Sequence, residues 1–221
     1  MGTKKLVKPG APAQPAQQQL DLGDRLMLFE RWLVNNWKKV AVATVAIVVI
    51  ILAWGIVVSL NNAAENKAEA AFSQAKDVAE IEALLEKYGD AECANYYRLQ
   101  IAADALAGEN FDKALEMHLA VAENTNSTAL CCDSMLAAAG IMEKQGKNQE
   151  SLNMYAEIAG NSDFVPGRRV EAYYQAGRIA LLLQDINTAL ACLDAAVAMS
   201  ESTVSVYSDM ANHLLSTVPA Q

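Results

Sequence analysis

The chain has 221 residues, 53% of them hydrophobic, and a formal net charge of −9. That charge is unevenly divided: residues 1–39 hold seven Lys/Arg against three Asp/Glu, whereas 61–221 hold ten against twenty-three. So acidic a C-terminal region lacks the basic face that nucleic acid requires, and gives no reason to expect it on an anionic lipid surface.

Residues 1–20 are dominated by Pro, Ala, Gln and Lys and are expected to form a disordered cytoplasmic tail. Met1-Gly2 opens like a myristoylation signal, but Leu6 stands where that signal has Ser or Thr, so it is excluded. A cleavable signal peptide is excluded too, because the apolar run begins late, is too long and lacks a small-x-small site after it. Residues 21–37 are expected to form an amphipathic juxtamembrane helix. Leu22, Leu26, Phe29 and Leu33 fall at helical spacing, with Asp24, Arg25, Glu30 and Arg31 on other faces. Such a helix either lies in the headgroup layer or against a membrane partner, or merely adds a turn before the span.

A transmembrane helix is expected over 38–61. Its centre, Val40–Leu60, contains no charged residue over twenty-one positions, about 31 Å of helix against about 30 Å of bilayer hydrocarbon. Trp37 sits where an interfacial aromatic belongs, with Lys38 and Lys39 beside it. Arg25, Arg31, Lys38 and Lys39 precede the span, and only Lys67 and Lys76 follow it for some distance. Positive charge stays inside, so the N-terminus is expected in the cytoplasm. The acidic domain then projects outward: into the periplasm for a single-pass protein of a bacterial inner membrane, or into a lumen or the exterior in a eukaryote.

From 62 to 221 the patterning is helical throughout, so the chain is expected to be all-α. Val78, Ile81, Leu84, Leu85 and Tyr88 mark one apolar stripe that Gly89 ends. Three segments then superimpose on Ala114, Ser151 and Ala189, at offsets of 37 and 38 residues. Leucine follows each anchor at Leu115, Leu152 and Leu190, and a small residue lies twelve positions earlier at Ala102, Ala139 and Gly177. Phe111, Asn148 and Ile186 stand three before the anchors; His118, Tyr155 and Leu193 stand four after; Val121, Ile158 and Ala196 stand seven after. Small residues on a first helix let a second helix approach, and each pair stacks on the next because none buries its apolar side alone. Gly108, Gly146 and Asp185 mark the turns within the pairs, and Thr203–Val218 reads as a capping helix that covers the stack with Tyr207, Met210, Leu214 and Val218.

This pattern resembles the tetratricopeptide repeat, with a longer spacing and without that repeat's first-helix tryptophan or its closing proline, and it implies an α-solenoid for 62–221. The whole arrangement, with A-A-F-S-Q-A-K at 70–76 and A-L-A-G-E-N-F-D-K-A-L at 105–115, resembles the YfgM-type ancillary subunit of the bacterial Sec translocon. That resemblance implies protein partners: the translocon, and envelope chaperones such as a membrane-anchored prolyl isomerase. It implies a scaffold rather than an enzyme, with no cofactor and no small-molecule substrate. A structural subunit of another envelope complex, or a foldase acting directly on clients, are the alternatives.

Candidate chemistry is sparse. His118 occupies a packing position, His213 is remote from it, and HExxH, CxxC and Gly-rich phosphate loops do not occur. Cys93 begins the first helix of repeat one, and Cys131 and Cys132 begin that of repeat two. A bridge from Cys93 to Cys131 or Cys132 requires helix ends to converge within about 7 Å, against about 8–10 Å between packed helices. Otherwise the cysteines are small buried hydrophobes, as suits Cys192. The first helices are expected to line a peptide-binding groove through Tyr96, Leu99, Asp133, Leu136, Glu171, Tyr174 and Arg178, with Tyr96 and Leu136 also open to a core role. Asn126-Ser127-Thr128 matches a glycosylation acceptor, of consequence only in a eukaryotic secretory setting.

Overall fold

The computed structural model describes residues 22–199 and 205–218, and helix is the regular secondary structure throughout them. In order these are α1 (Leu22–Phe72), α2 (Val78–Tyr88), α3 (Ala94–Ala107), α4 (Phe111–Asn124), α5 (Thr128–Lys144), α6 (Asn148–Gly160), α7 (Pro166–Leu182), α8 (Ile186–Ala198) and α9 (Val206–Leu215). The all-α expectation is met by one long apolar helix followed by a packed helical domain. The tail 1–20 lies outside the described residues. The chain divides into two units, Met1–Ser59 and Leu60–Gln221.

The first unit is carried by α1. The juxtamembrane and spanning stretches, expected as separate pieces, share this one helix. None of its most apolar window is buried, whereas a core helix of a folded domain would be covered. Polar side chains within it bond to its own backbone: Asn36 Nδ2 donates to the Trp32 carbonyl and Thr44 Oγ1 to the Val40 carbonyl, both at 2.9 Å.

The second unit opens with the last turns of α1 and with α2. Phe72 stacks on Tyr97 of α3 at 4.5 Å between ring centroids, and Ala68, Phe72, Ile81, Ile101 and Met117 share one core cluster. Gly89 ends α2 as expected, but not by a left-handed turn, since its φ is −60°. It is needed for close approach: a Cβ there would meet the Leu85 carbonyl oxygen at 2.5 Å and Arg98 Nη2 at 2.9 Å. The buried Arg98 donates to the Gly89 carbonyl and to Asn95 Oδ1, each at 2.8 Å, so the guanidinium closes the end of α2.

Three hairpins follow, α3/α4, α5/α6 and α7/α8, and their turns are copies of one device. In each, the third residue's N–H reaches back five positions: Asn110 to Ala105, Lys147 to Met142 and Asp185 to Ala180, at 2.8–2.9 Å. The middle residue is left-handed in all three, Glu109 at φ 57°, Gly146 at 76° and Gln184 at 62°. This is the Schellman ending, which satisfies the last carbonyls of the first helix. The turn expected at Gly108 is therefore centred one residue later, and Glu109 and Gln184 adopt without glycine a conformation that costs an L-residue about 1–2 kcal/mol. The next helix starts at once: Asn110 and Asp185 accept from the N–H of Lys113 and Thr188 at 3.2 and 3.1 Å.

Inside each hairpin the repeat register is a contact. Ala114, Ser151 and Ala189 are fully buried, as are Ala102 and Ala139. Ser151 Oγ donates to the Ala139 carbonyl at 2.8 Å. A Cβ on Gly177 would lie 2.6 Å from Leu193 Cγ and 3.3 Å from the Ala189 carbonyl. Val121, Ile158 and Ala196 fill the next turn and are also fully buried. From α3 to α9 each helix packs against its neighbours in sequence, and α9 also reaches α7. The capping helix α9 buries Ser208 and Ala211 and packs Tyr207, Leu214 and Leu215 against the α7/α8 core. Met210, expected to help cover the stack, is 41% exposed, because it falls one residue off the buried stripe. Residues 203–204 of the expected capping segment lie outside the described residues.

Two substitutions test this reading by urea unfolding of the detergent-solubilised chain. Gln184→Gly should stabilise by about 0.5–1 kcal/mol, the left-handed strain less the entropy of glycine. Gly177→Ala should destabilise by about 1–3 kcal/mol through overpacking against Leu193.

Candidate interaction face

The strongest polar organisation lies between α5 and α7, the first helices of two successive hairpins. Arg168, near the start of α7, donates from Nε to Asp133 Oδ1 and from Nη1 to Glu171 Oε2, both at 2.9 Å. Glu171 accepts in turn from the Tyr207 hydroxyl of α9 at 3.0 Å. Further along α7, Arg178 grips Glu143 of α5 through two parallel bonds of 2.7 and 2.6 Å, and donates from Nε to Gln175 Oε1 at 2.9 Å. Both α5–α7 ion pairs join residues 35 apart, 133 with 168 and 143 with 178. That is the repeat length less about one turn, so each arginine reaches diagonally to the previous first helix.

The electrostatics follow from these bonds. The Arg178 guanidinium holds the Glu143 carboxyl below its ordinary value, and Glu143 raises Arg178. Tyr155, buried below this face, is pushed up to about 12 by burial, with Glu143 adding to it. It remains a neutral phenol and cannot serve as a base near neutral pH.

Of the seven residues expected in a groove, Asp133, Glu171 and Arg178 belong to this network. Tyr174 does not line a groove: it is buried, and its ring meets that of Tyr207 at 5.7 Å. Leu136 is half-buried and packs on the α5–α8 core. Tyr96 and Leu99 sit on α3, apart from the network; Tyr96 is 69% exposed and edge-on to Tyr97. Sequence reasoning missed Glu143, Arg168 and Tyr207. Opposite charges one repeat apart less one turn were the available signal for the two ion pairs.

A second set of carboxylates lies at the helix starts. Glu65 of α1 accepts from the N–H groups of Glu92 and Cys93 at 3.0 and 2.6 Å, where α3 begins. Glu92 accepts from Thr125 Oγ1 and the Asn126 N–H at 2.6 and 3.0 Å, just before α5. Each carboxylate sits against unsatisfied donors at a helix start. The Thr125 hydroxyl holds the Glu92 carboxyl below its ordinary value.

The remaining candidates are quiet. All four cysteines are free. The bridge from Cys93 to Cys131 or Cys132 is not formed: Cys93 packs with the α1–α3 cluster, whereas Cys131 and Cys132 pack with the α5–α8 cluster. Burial pushes the thiols of Cys93 and Cys132 up to about 11. His118 is partly buried with Nδ1 unbonded, and burial lowers its pKa. Among the described residues no three or more His, Cys, Asp or Glu are placed to hold a metal ion.

Comparison of the chain with family models, with curated proteins and with solved structures found no match in any of the three.

Two measurements check this site. Glu143→Gln should cost about 1 kcal/mol or less, because both partners remain partly in water. A carboxyl whose folded pKa is depressed stabilises above its unfolded value and loses that contribution as pH falls through the folded one. The difference between wild type and Glu143→Gln should therefore be full above the ordinary value of 4.5 and vanish in stronger acid. Thiol titration of the non-reduced chain in denaturant should return four free thiols.

Proposed function

We propose that the protein is a non-enzymatic scaffold, anchored in a membrane by α1 and engaging protein partners through the α5–α7 face. The observation that carries this reading is the face itself. Two arginines and three carboxylates on adjacent helices are held in fixed positions by one another while remaining partly exposed. Groups positioned in advance lose little entropy on meeting a partner and select it by charge. The unburied apolar stretch of α1 supports the anchor, since such a surface is stable in lipid and not in water.

The finer reading rests on the sequence resemblance. In a bacterial cell α1 crosses the inner membrane with the N-terminus in the cytoplasm and the repeat domain in the periplasm. There the domain holds envelope chaperones, such as a membrane-anchored prolyl isomerase, near polypeptides leaving the Sec translocon. The mechanism is raised local concentration and not chemistry.

The test is photo-crosslinking in intact membranes from Gln175, beside the face. Crosslinks to the channel and to a prolyl isomerase are expected, and Arg168→Ala with Arg178→Ala should cut them by about tenfold without unfolding the domain. Crosslinks to another envelope complex alone would overturn the translocon reading. Release of the intact chain by alkaline carbonate would overturn the anchor.

A further inference from the structure

The apolar surface of α1 is longer than a bilayer is thick. Large hydrophobic side chains are exposed from Leu26 to Leu60, thirty-five residues or about 52 Å of helix. Fitting that length into about 30 Å of hydrocarbon needs a tilt of about 55°, beyond the 0–40° found for membrane helices. A straight path would also draw Glu30, Arg31, Lys38 and Lys39 into the hydrocarbon, at a cost helices avoid.

The stretch before the span is built differently from the span. Leu26, Phe29, Leu33 and Trp37 recur at three- to four-residue intervals with Trp32 flanking them, and Leu26, Phe29, Trp32 and Trp37 are each more than half exposed. Phe29 and Trp32 stack at 6.2 Å, giving a wide, rigid apolar face. Arg31, Asn35 and Lys38 recur on the opposite side. Two aromatic types with arginine and lysine opposite them make the pattern of a helix that lies in the membrane surface.

Between the two stretches stand Asn35 and Asn36. Asn36 Nδ2 donates to the Trp32 carbonyl, the acceptor that also serves its own N–H in the helix. Side chains that share a backbone acceptor in this way loosen and bend helices, and asparagine is a weak helix former.

Taking α1 as a membrane anchor, we propose that residues 22–34 lie in the headgroup layer of an anionic leaflet on the N-terminal side, and that α1 turns at Asn35–Asn36 to enter the bilayer. Within 22–34 Arg25 and Arg31 balance Asp24 and Glu30, and Lys38 and Lys39 at the entry to the span add two positive charges, so the surface segment and the entry together favour lipids with negative headgroups. The acidic repeat domain has no such preference, so contact with anionic lipid is confined to this end of the chain.

The experiment reconstitutes the full chain into phosphatidylcholine vesicles with and without phosphatidylglycerol, using lipids that carry quenchers at the headgroup or deep in the acyl chain. One variant keeps Trp54 alone (Trp32→Phe, Trp37→Phe), and another keeps Trp32 alone (Trp37→Phe, Trp54→Phe). Trp54 should be quenched by the deep label and Trp32 by the headgroup label. Unquenched Trp54 would mean that α1 is no anchor, and the proposal falls with that reading. A deep Trp54 with an equally deep Trp32 would mean one straight inserted helix. A deep Trp54 with unquenched Trp32 would leave the segment to water or a protein partner. Either result overturns the proposal while sparing the anchor. In phosphatidylglycerol vesicles Arg25→Gln with Arg31→Gln should reduce headgroup quenching of Trp32 by about half. No change there would overturn the choice of anionic lipid.

Discussion

The contact between a small residue on one helix and a small residue on the next sets the geometry of the second unit. Ala102 with Ala114, Ala139 with Ser151, and Gly177 with Ala189 are equivalent pairs twelve residues apart, and every member is buried. Where side chains are this small, backbones meet: the Ser151 hydroxyl rests on the Ala139 carbonyl, and Gly177 has no space for a methyl group. Helix separation follows from side-chain volume at the contact. Three hairpins with the same small pair therefore have the same width and stack without mismatch. The shared turn conformation is the other half of the constraint, because a Schellman ending fixes how the chain leaves one helix and enters the next.

Apolar packing runs within hairpins and across them, from α4 to α5 and through α5–α8, and a polar set is added between the first helices of successive hairpins. The diagonal pairs from α5 to α7, and the carboxylates of Glu65 and Glu92 at the starts of α3 and α5, join elements that the small-residue contact does not reach. Such bonds add modestly to stability, since most remain partly hydrated. Their larger effect is on register. A carboxylate against two helix-start N–H groups, or a bidentate arginine, is satisfied in one alignment only. The buried Arg98 works in the same way with neutral partners, closing α2 through a carbonyl in place of an ion pair.

Much of this was legible in the sequence. The uncharged run from Val40 to Leu60, the 37- and 38-residue offsets and the small positions are one-dimensional patterns, and each maps to a feature of the structure. Side-chain reach was less legible. Glu143, Arg168 and Tyr207 act across 35 or 36 residues, and nothing local distinguishes them from other charges and aromatics on helix surfaces. Turn conformation was half legible: glycine marks the left-handed residue in one hairpin, whereas Glu109 and Gln184 fill that position without a compositional sign. The cysteines misled because alignment by repeat puts Cys93 and Cys131 at like positions, whereas like positions on stacked helices lie in different core clusters.

The division of charge along the chain bears on how a scaffold of this kind would work. Basic residues gather before the apolar stretch of α1 and acidic ones after it, so on the proposed reading electrostatic attraction to anionic lipid ends where that stretch ends. On the proposed reading, partners meet the second unit through a face whose ion pairs are already formed, and each exposed charge adds only about 0–1 kcal/mol. In free solution contacts of that size hold partners briefly. Two proteins confined to one membrane are at an effective concentration that reaches the millimolar range for short tethers, where weak and rapidly reversible contacts suffice. On that reading, a scaffold that must release its partners as readily as it gathers them gains from that weakness, and the anchor, not the face, would supply the occupancy.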